Sequence, residues 1–279
     1  MQYLEAFNMD LSTVLGLVIG LVALLVGMTL KGVTPDALFN MAAILIIIGG
    51  TVAAVVIAFP MSELKRVPKL FKIIFTQQKL ASDAELIRLF SSWADVARRE
   101  GLLALEAKTD EIDDPFLKNG LGLAIDGQNA DYIRDVLSEE VEAMQDRHSV
   151  GALIFSQAGT YAPTLGVLGA VVGLIAALGD MNNIEALGYA ISAAFIATLL
   201  GIFTGYVLWH PFSNKLVRKS KEEVRQKTMV IEGILSVLEG EAPRVIEQKL
   251  ASYLSVEDRK KLASDSNDGK GAGQVVEET

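Results

Sequence analysis

Residues 151–179, GALIFSQAGTYAPTLGVLGAVVGLIAALG, and residues 186–211, ALGYAISAAFIATLLGIFTGYVLWHP, decide the fold. Neither stretch contains Asp, Glu, Lys or Arg. Each exceeds the roughly 20 apolar residues that a helix needs to cross a bilayer core. Both also carry polar groups that a plain anchor does not require: Gln157, Thr160, Tyr161, Thr164, Ser192, Thr198 and Thr204. Pro163 sits inside the first stretch and deletes a helix hydrogen bond to the carbonyl of Gly159. Gly166, Gly169 and Gly173 offer a small-residue face on which membrane helices approach closely. Taken singly, these residues need no more than ordinary helix packing, and Thr198 can bond the carbonyl four residues back. As a set with Pro163 and Thr198 they predict a polar-lined interface.

Two more apolar runs lie upstream, at 11–30 and 37–59, separated by a turn containing Gly32 and Pro35 and closed by Pro60. No basic region precedes the first run and no small-residue cleavage site follows it, which argues against a removable signal peptide; Met9 is an alternative start. Composition agrees: 51% hydrophobic and 21% charged residues, distributed in blocks, describe a membrane protein with a soluble portion. Cys is absent, which excludes disulfides and thiolate chemistry. His148 and His210 cannot build a metal site by themselves. A net charge of −9 argues against nucleic acid, whose phosphates require a basic face.

Lys65, Arg66, Lys69 and Lys72 follow the second run, and Lys215, Arg218, Lys219 and Lys221 follow the fourth. Basic clusters beside membrane ends mark the cytoplasmic side. Asp180–Glu185, with no Lys or Arg, reads as external. Four crossings then place both termini and residues 61–150 in the cytoplasm, against which Lys31 on the outer turn weighs little.

The soluble parts read as helices. Leu86, Leu89, Phe90, Trp93 and Ala97 form one stripe between Asp83 and Arg99, and Gly101 ends it. Asp113-Asp114-Pro115 is a helix start. Ile133, Leu137, Val141 and Met144 share one face of a helix that continues into the third span. After Pro211 a charged amphipathic helix carries Val224, Met229, Ile231, Ile234, Leu235 and Leu238. A short helix follows at Val245–Leu254, and the polar tail from Ser264 is expected to be disordered. The expected fold is all-α: membrane helices at 1–60 and 151–211, a cytoplasmic helical domain at 61–150, cytoplasmic helices at 212–263 and a tail at 264–279.

Ionisable groups at membrane depth are costly and mark ion paths. The four spans show none near a bilayer centre; His210 is at an end. If ions cross here, the titrating group must come from another chain.

Three segments carry a resemblance: RREGLLALE at Arg98–Glu106, GTYAPTLGVLGAVVGLIAAL at Gly159–Leu178, and ATLLGIFTGYVLWHP at Ala197–Pro211. Together they resemble the MotA-type flagellar stator subunits of the MotA/TolQ/ExbB group, over about Met9 to Leu254. The resemblance implies a multi-pass protein of the bacterial inner membrane, not an enzyme, with no cofactor. It implies five copies surrounding two MotB-like single-span partners that grip peptidoglycan and supply the ion-binding Asp. Ion flow would turn the pentamer, which would push the rotor protein FliG.

Carried over by residue, Arg98 and Glu106 match the family's torque-loop charges. Without the resemblance, Arg98 reads as a basic residue meeting a helix dipole and Glu106 as a solvated side chain. Pro163 and Pro211 match prolines linked to coupling, although Pro211 also reads as a helix stop. Sodium-type relatives carry Thr at positions matching Ala170 and Ala197; here only the Thr198 hydroxyl remains. Since sodium needs several oxygen ligands, the expected ion is the proton. Two other readings are an energiser of the TolQ/ExbB kind, against which the fourth span stands, and a membrane transporter, against which the missing intramembrane charges stand.

Overall fold

The computed structural model describes residues 9–78, 80–109, 111–179 and 184–260. The polar tail from Ser264 and most of the Asp180–Glu185 connection lie outside them. The described residues are helical, with one isolated bridge between Met9 and Thr76. We label the main helices α1 (Leu11–Leu30), α2 (Met41–Ala58), α3 (Val67–Phe75), α4 (Asp83–Glu100), α5 (Pro115–Ile125), α6 (Ala130–Leu178), α7 (Ile184–Leu238) and α8 (Pro243–Ala251). Four of them, α1, α2, α6 and α7, are long and apolar enough to cross a membrane.

The helix limits follow local chemistry. α2 begins at Met41, later than the expected Ala37, because Pro35–Leu38 closes a separate tight turn and Asn40 caps the new helix, accepting from the Ala43 amide at 3.1 Å. α6 runs for 49 residues, so the helix that precedes the third span continues into it, as expected. α7 does not stop at Pro211 but continues to Leu238. A wider π-type turn at Thr204–Trp209 precedes the proline. A proline ring collides with the carbonyl four residues back, and a turn with an extra residue moves that carbonyl aside. The span therefore passes Pro211 without a break.

The chain divides into two compact units, Met1–Gln78 with Asp146–Ser220, and Lys79–Gln145 with Lys221–Thr279. In the first, α3 folds its apolar side onto the middle stretches of α6 and α7. Phe71 meets Phe155 edge-on at 5.1 Å, and Phe75 meets Phe212 at 5.7 Å. Ile74, Ala152 and Leu216 close this cluster, while Lys69 and Lys72 remain exposed. The apolar side chains of α1 stay largely uncovered, Leu15 and Ile19 among them, as befits a helix against lipid or another chain.

One buried charge cluster ties the start of α1 to α7. Asp10, 9% exposed, pairs with Lys215 at 2.7 Å and Lys219 at 3.4 Å and accepts from the Ser12 hydroxyl at 2.7 Å. Lys219 Nζ also donates to the carbonyls of Ile73, at 2.6 Å, and Thr76, capping the end of α3. Burial pushes the Asp10 carboxyl up, but the Lys215 and Ser12 hydrogen bonds and the Lys215 charge outweigh it and hold the group below the carboxylate range. A depressed carboxylate contributes stability that is complete above its unfolded value of about 3.9 and fades as pH falls through its folded value. The cluster is thus intact at neutral pH. Asp10→Asn should lower the thermal unfolding midpoint in detergent at pH 7, by the equivalent of about 2 kcal/mol; this is less than the roughly 3–5 kcal/mol of a fully buried pair. An unchanged midpoint would make the cluster neutral.

The second unit has its own core. Phe90, Leu105, Leu121, Ile133, Leu137, Met229, Ile234 and Leu235 are among its most enclosed side chains. α4 starts with reciprocal bonds between Ser82 and Glu85, at 3.0 and 3.1 Å. Its buried stripe is Leu86, Ile87, Phe90, Trp93 and Ala94, with Leu89 and Ala97 only half covered. The true face is therefore turned slightly from the expected one.

Candidate functional site: the seam of the charge-free helices and a charged turn

In the first unit, α6 and α7 touch backbone to backbone. A Cβ added to Gly166 would lie 2.8 Å from the carbonyl oxygen of Ala197 and 3.0 Å from the Cα of Gly201. One added to Gly201 would lie 2.8 Å from the Ala162 carbonyl oxygen. One added to Gly205 would lie 2.8 Å from both the Gly159 carbonyl oxygen and Pro163 Cγ. The line Gly159, Ala162, Pro163, Gly166 thus meets Ala197, Gly201, Gly205. The sequence showed the glycines of α6 as a packing face; that Gly201 and Gly205 are its counterpart could be read only from their spacing of four.

Two helix irregularities meet in this seam. Pro163 leaves the Gly159 carbonyl without its usual donor. Directly opposite, α7 carries its π-type turn, which includes Gly205. α2 has a similar turn at Leu45–Gly49, and the adjoining Gly50 lies against Leu165 of α6. Such turns inside helices commonly occur at functional places.

The remaining expected positions fall as follows. Ala197 is 2% exposed and packs with Ala43, Ile47 and Ala162, inside the chain's own helix contacts. Ala170 is also buried. Thr198 Oγ1 donates to the Ala194 carbonyl at 3.1 Å, so its proton is committed to its own helix. Its oxygen still has lone pairs to offer as an acceptor. Thr160, Thr164 and Thr204 are satisfied in the same local way. Pro211 is exposed and lines, with Ser12, Gly16, Val207 and Lys215, a cavity of about 310 Å³ beside α1. The structure therefore brings Pro163 and Ala197 into one seam and leaves Pro211 on another side of α7.

In the second unit, α4 ends at Glu100, and Gly101 turns the chain with φ +88°, a conformation that side chains disfavour. Leu105, fully enclosed, pins the next turn to the core. On either side of this anchored bend Arg98 and Glu106 are exposed, and neither has an ion-pair partner among the described residues. Neighbouring Arg99 is instead held by Asp95 at 3.0 Å. Two exposed charges without ion-pair partners, on a bend held to the core by Leu105, are suited to meeting a complementary surface.

A four-span helical membrane protein with a closely packed helix pair whose membrane stretches are charge-free, and a presented charge corner, is the class that the fold and site define. Residues 108–229 match the MotA/TolQ/ExbB proton channel family and residues 14–101 match Motility protein A N-terminal. Motility protein A of Bacillus subtilis (strain 168) is 65% identical over 255 residues, covering 91% of this chain and 94% of the relative. The flagellar MotAB stator complex from Bacillus subtilis contains a chain that superposes with a TM-score of 0.87, at 65% identity, over 91% of this chain and all of that one. The C. jejuni MotAB structure matches at a TM-score of 0.85 and 33% identity, over 89% of this chain and 97% of that one. The chain belongs to the MotA/TolQ/ExbB proton channel family, in its Motility protein A branch.

Proposed function

We propose that this chain is a stator subunit of the bacterial flagellar motor, which joins a MotB-like partner and converts ion flow into rotation. The observation that carries the proposal is the 65% identity to Motility protein A over 91% of the chain, together with the chain's four candidate spans. The fourth span also separates it from the energisers of outer-membrane systems, and the lack of ionisable groups in mid-membrane from a self-sufficient transporter.

In this reading five copies surround a partner dimer in the bacterial inner membrane, with both termini in the cytoplasm. The partner's Asp takes the proton, and Thr198 and the Pro163 seam lie along the path. Ala170 and Ala197 add no hydroxyls of the kind a sodium ion would use. Pro211, exposed beside α1, belongs to the same coupling region. No step requires covalent chemistry by this chain, so it is not assigned an enzyme activity. Force leaves through Arg98 and Glu106, which engage the rotor protein FliG. Exposed charge contacts are individually worth about 0–1 kcal/mol and are screened by salt, which suits repeated engagement and release.

Reversing both charges, Arg98→Glu with Glu106→Lys, should reduce motor torque in tethered cells while membrane level and partner co-purification stay at wild type. Unchanged torque would remove these residues from the rotor contact.

A further inference from the structure

The π-type turn of α7 ends at Trp209 and His210 follows it, two residues whose polar atoms the proposed function does not use. The Trp209 indole Nε1 is buried and has no hydrogen-bond partner. Its ring packs among Val55, Ile154 and Ala158. Buried donors are nearly always satisfied, so an unsatisfied one calls for an explanation. His210, next in sequence, is half-buried, and its ring makes no hydrogen bond to another described residue. Its ring lies on Gly159: a Cβ there would be 2.8 Å from His210 Cγ and Cδ2. Gly159 is the residue whose carbonyl Pro163 deprives of a donor. A buried N–H, a carbonyl without its usual helix donor and an imidazole ring therefore gather within about one helical turn where the third and fourth spans face each other.

His210 is also the only His, Asp, Glu, Lys or Arg in residues 151–179 and 186–211. Tyr206 on its own helix faces it, with ring centroids 5.3 Å apart, and Tyr161 is the titratable side chain at the same level of α6, beside Trp209. Asp10, just before α1, pairs with both Lys215 and Lys219 of α7.

We propose that His210 is the cytoplasmic-side proton acceptor of this chain. The inference rests on the reading that the motor is driven by protons. A proton released on the inner side binds the unprotonated ring nitrogen, and the imidazolium then gives a proton to cytoplasmic water. No electrons move, and the ring returns to its neutral form.

The test uses the full chain with its MotB-like partner in proteoliposomes, at fixed membrane potential, with proton flux measured while the cytoplasmic-side pH is varied over about 5–8. His210→Gln should lower the flux at least about ten-fold and flatten its pH dependence, water replacing part of a positioned proton-transfer group. His210→Glu should retain flux with the dependence displaced to more acid pH. A purely packing role would move neither profile. Wild-type flux and profile in His210→Gln would overturn the inference and leave the proton reading standing. Sodium flux in place of proton flux through the wild-type complex would overturn both. If His210→Gln does not assemble, the Glu variant decides: a displaced profile supports the inference and an unmoved one overturns it.

Discussion

Gly205→Val should abolish swimming. The added side chain would start 2.8 Å from the Gly159 carbonyl oxygen and 2.8 Å from Pro163 Cγ, with Pro163 Cδ at 3.0 Å. Real Cβ atoms do not approach other atoms so closely, and here one obstacle is backbone and the other a rigid ring. Neither can rotate away, so α6 and α7 must separate along the line that also holds Gly166 and Gly201. Overpacking usually costs about 1–3 kcal/mol, and more where backbone must shift. The consequence for coupling is larger than that for stability, because the displaced elements are the Pro163 segment and the π-type turn themselves. Gly188→Val, where a Cβ would meet nothing within 4 Å in this chain, is the matched control and should leave the unfolding midpoint of the extracted chain unchanged. Swimming at wild-type speed in Gly205→Val would mean that the seam opens without consequence.

The second large effect is expected in the cytoplasmic unit. A Cβ on Gly233 would fall 2.5 Å from Phe90 Cδ2, and Phe90 is fully enclosed, edge-on to Trp93 at 5.4 Å. The ring has nowhere to go. Gly233→Val should therefore destabilise this unit by about 3 kcal/mol or more. The same region presents Arg98 at the end of α4, so torque should be lost even where the protein still reaches the membrane. Limited proteolysis of membranes from the variant should cut the 79–145 segment faster than wild type. Equal protection would show that the core repacks around the added methyls.

The membrane half was legible because its signal is simple: long runs without charge, bounded by Pro, Gly and basic clusters. The start of the long α6 was legible too, since Ile133, Leu137, Val141 and Met144 keep one helical period up to the third span. What could not be read depended on contacts between distant residues. Pro211 looks like a stop until the wider turn before it is seen to absorb the ring. Ile87 fell outside the expected stripe of α4 because α4 meets more than one neighbour, which widens its buried face. Asp10 resembles a solvated residue until Lys215 and Lys219, more than 200 positions away, are found beside it.

The candidate site divides in the same way. Arg98 and Glu106 are exposed charges of an ordinary kind, and only the resemblance singled them out. The structure adds the anchored bend that presents them. Pro163 was conspicuous as a proline within an apolar run, whereas its partner Gly205 was one small residue among many. Thr198 attracted notice as a hydroxyl in the membrane; its proton is bound within its own helix, which leaves only an acceptor role. Ala197 was chosen for the hydroxyl it lacks, and it lies buried within the helix seam.

The need for a second protein rests on the absence of any mid-membrane acid in this chain. It is tested by ion flux into liposomes containing this chain alone, this chain with its MotB-like partner, or the complex with the partner's intramembrane Asp replaced by Asn. Proton flux should appear only in the second preparation and should not require sodium. Flux through this chain alone, or undiminished flux without the partner's carboxylate, would contradict the account.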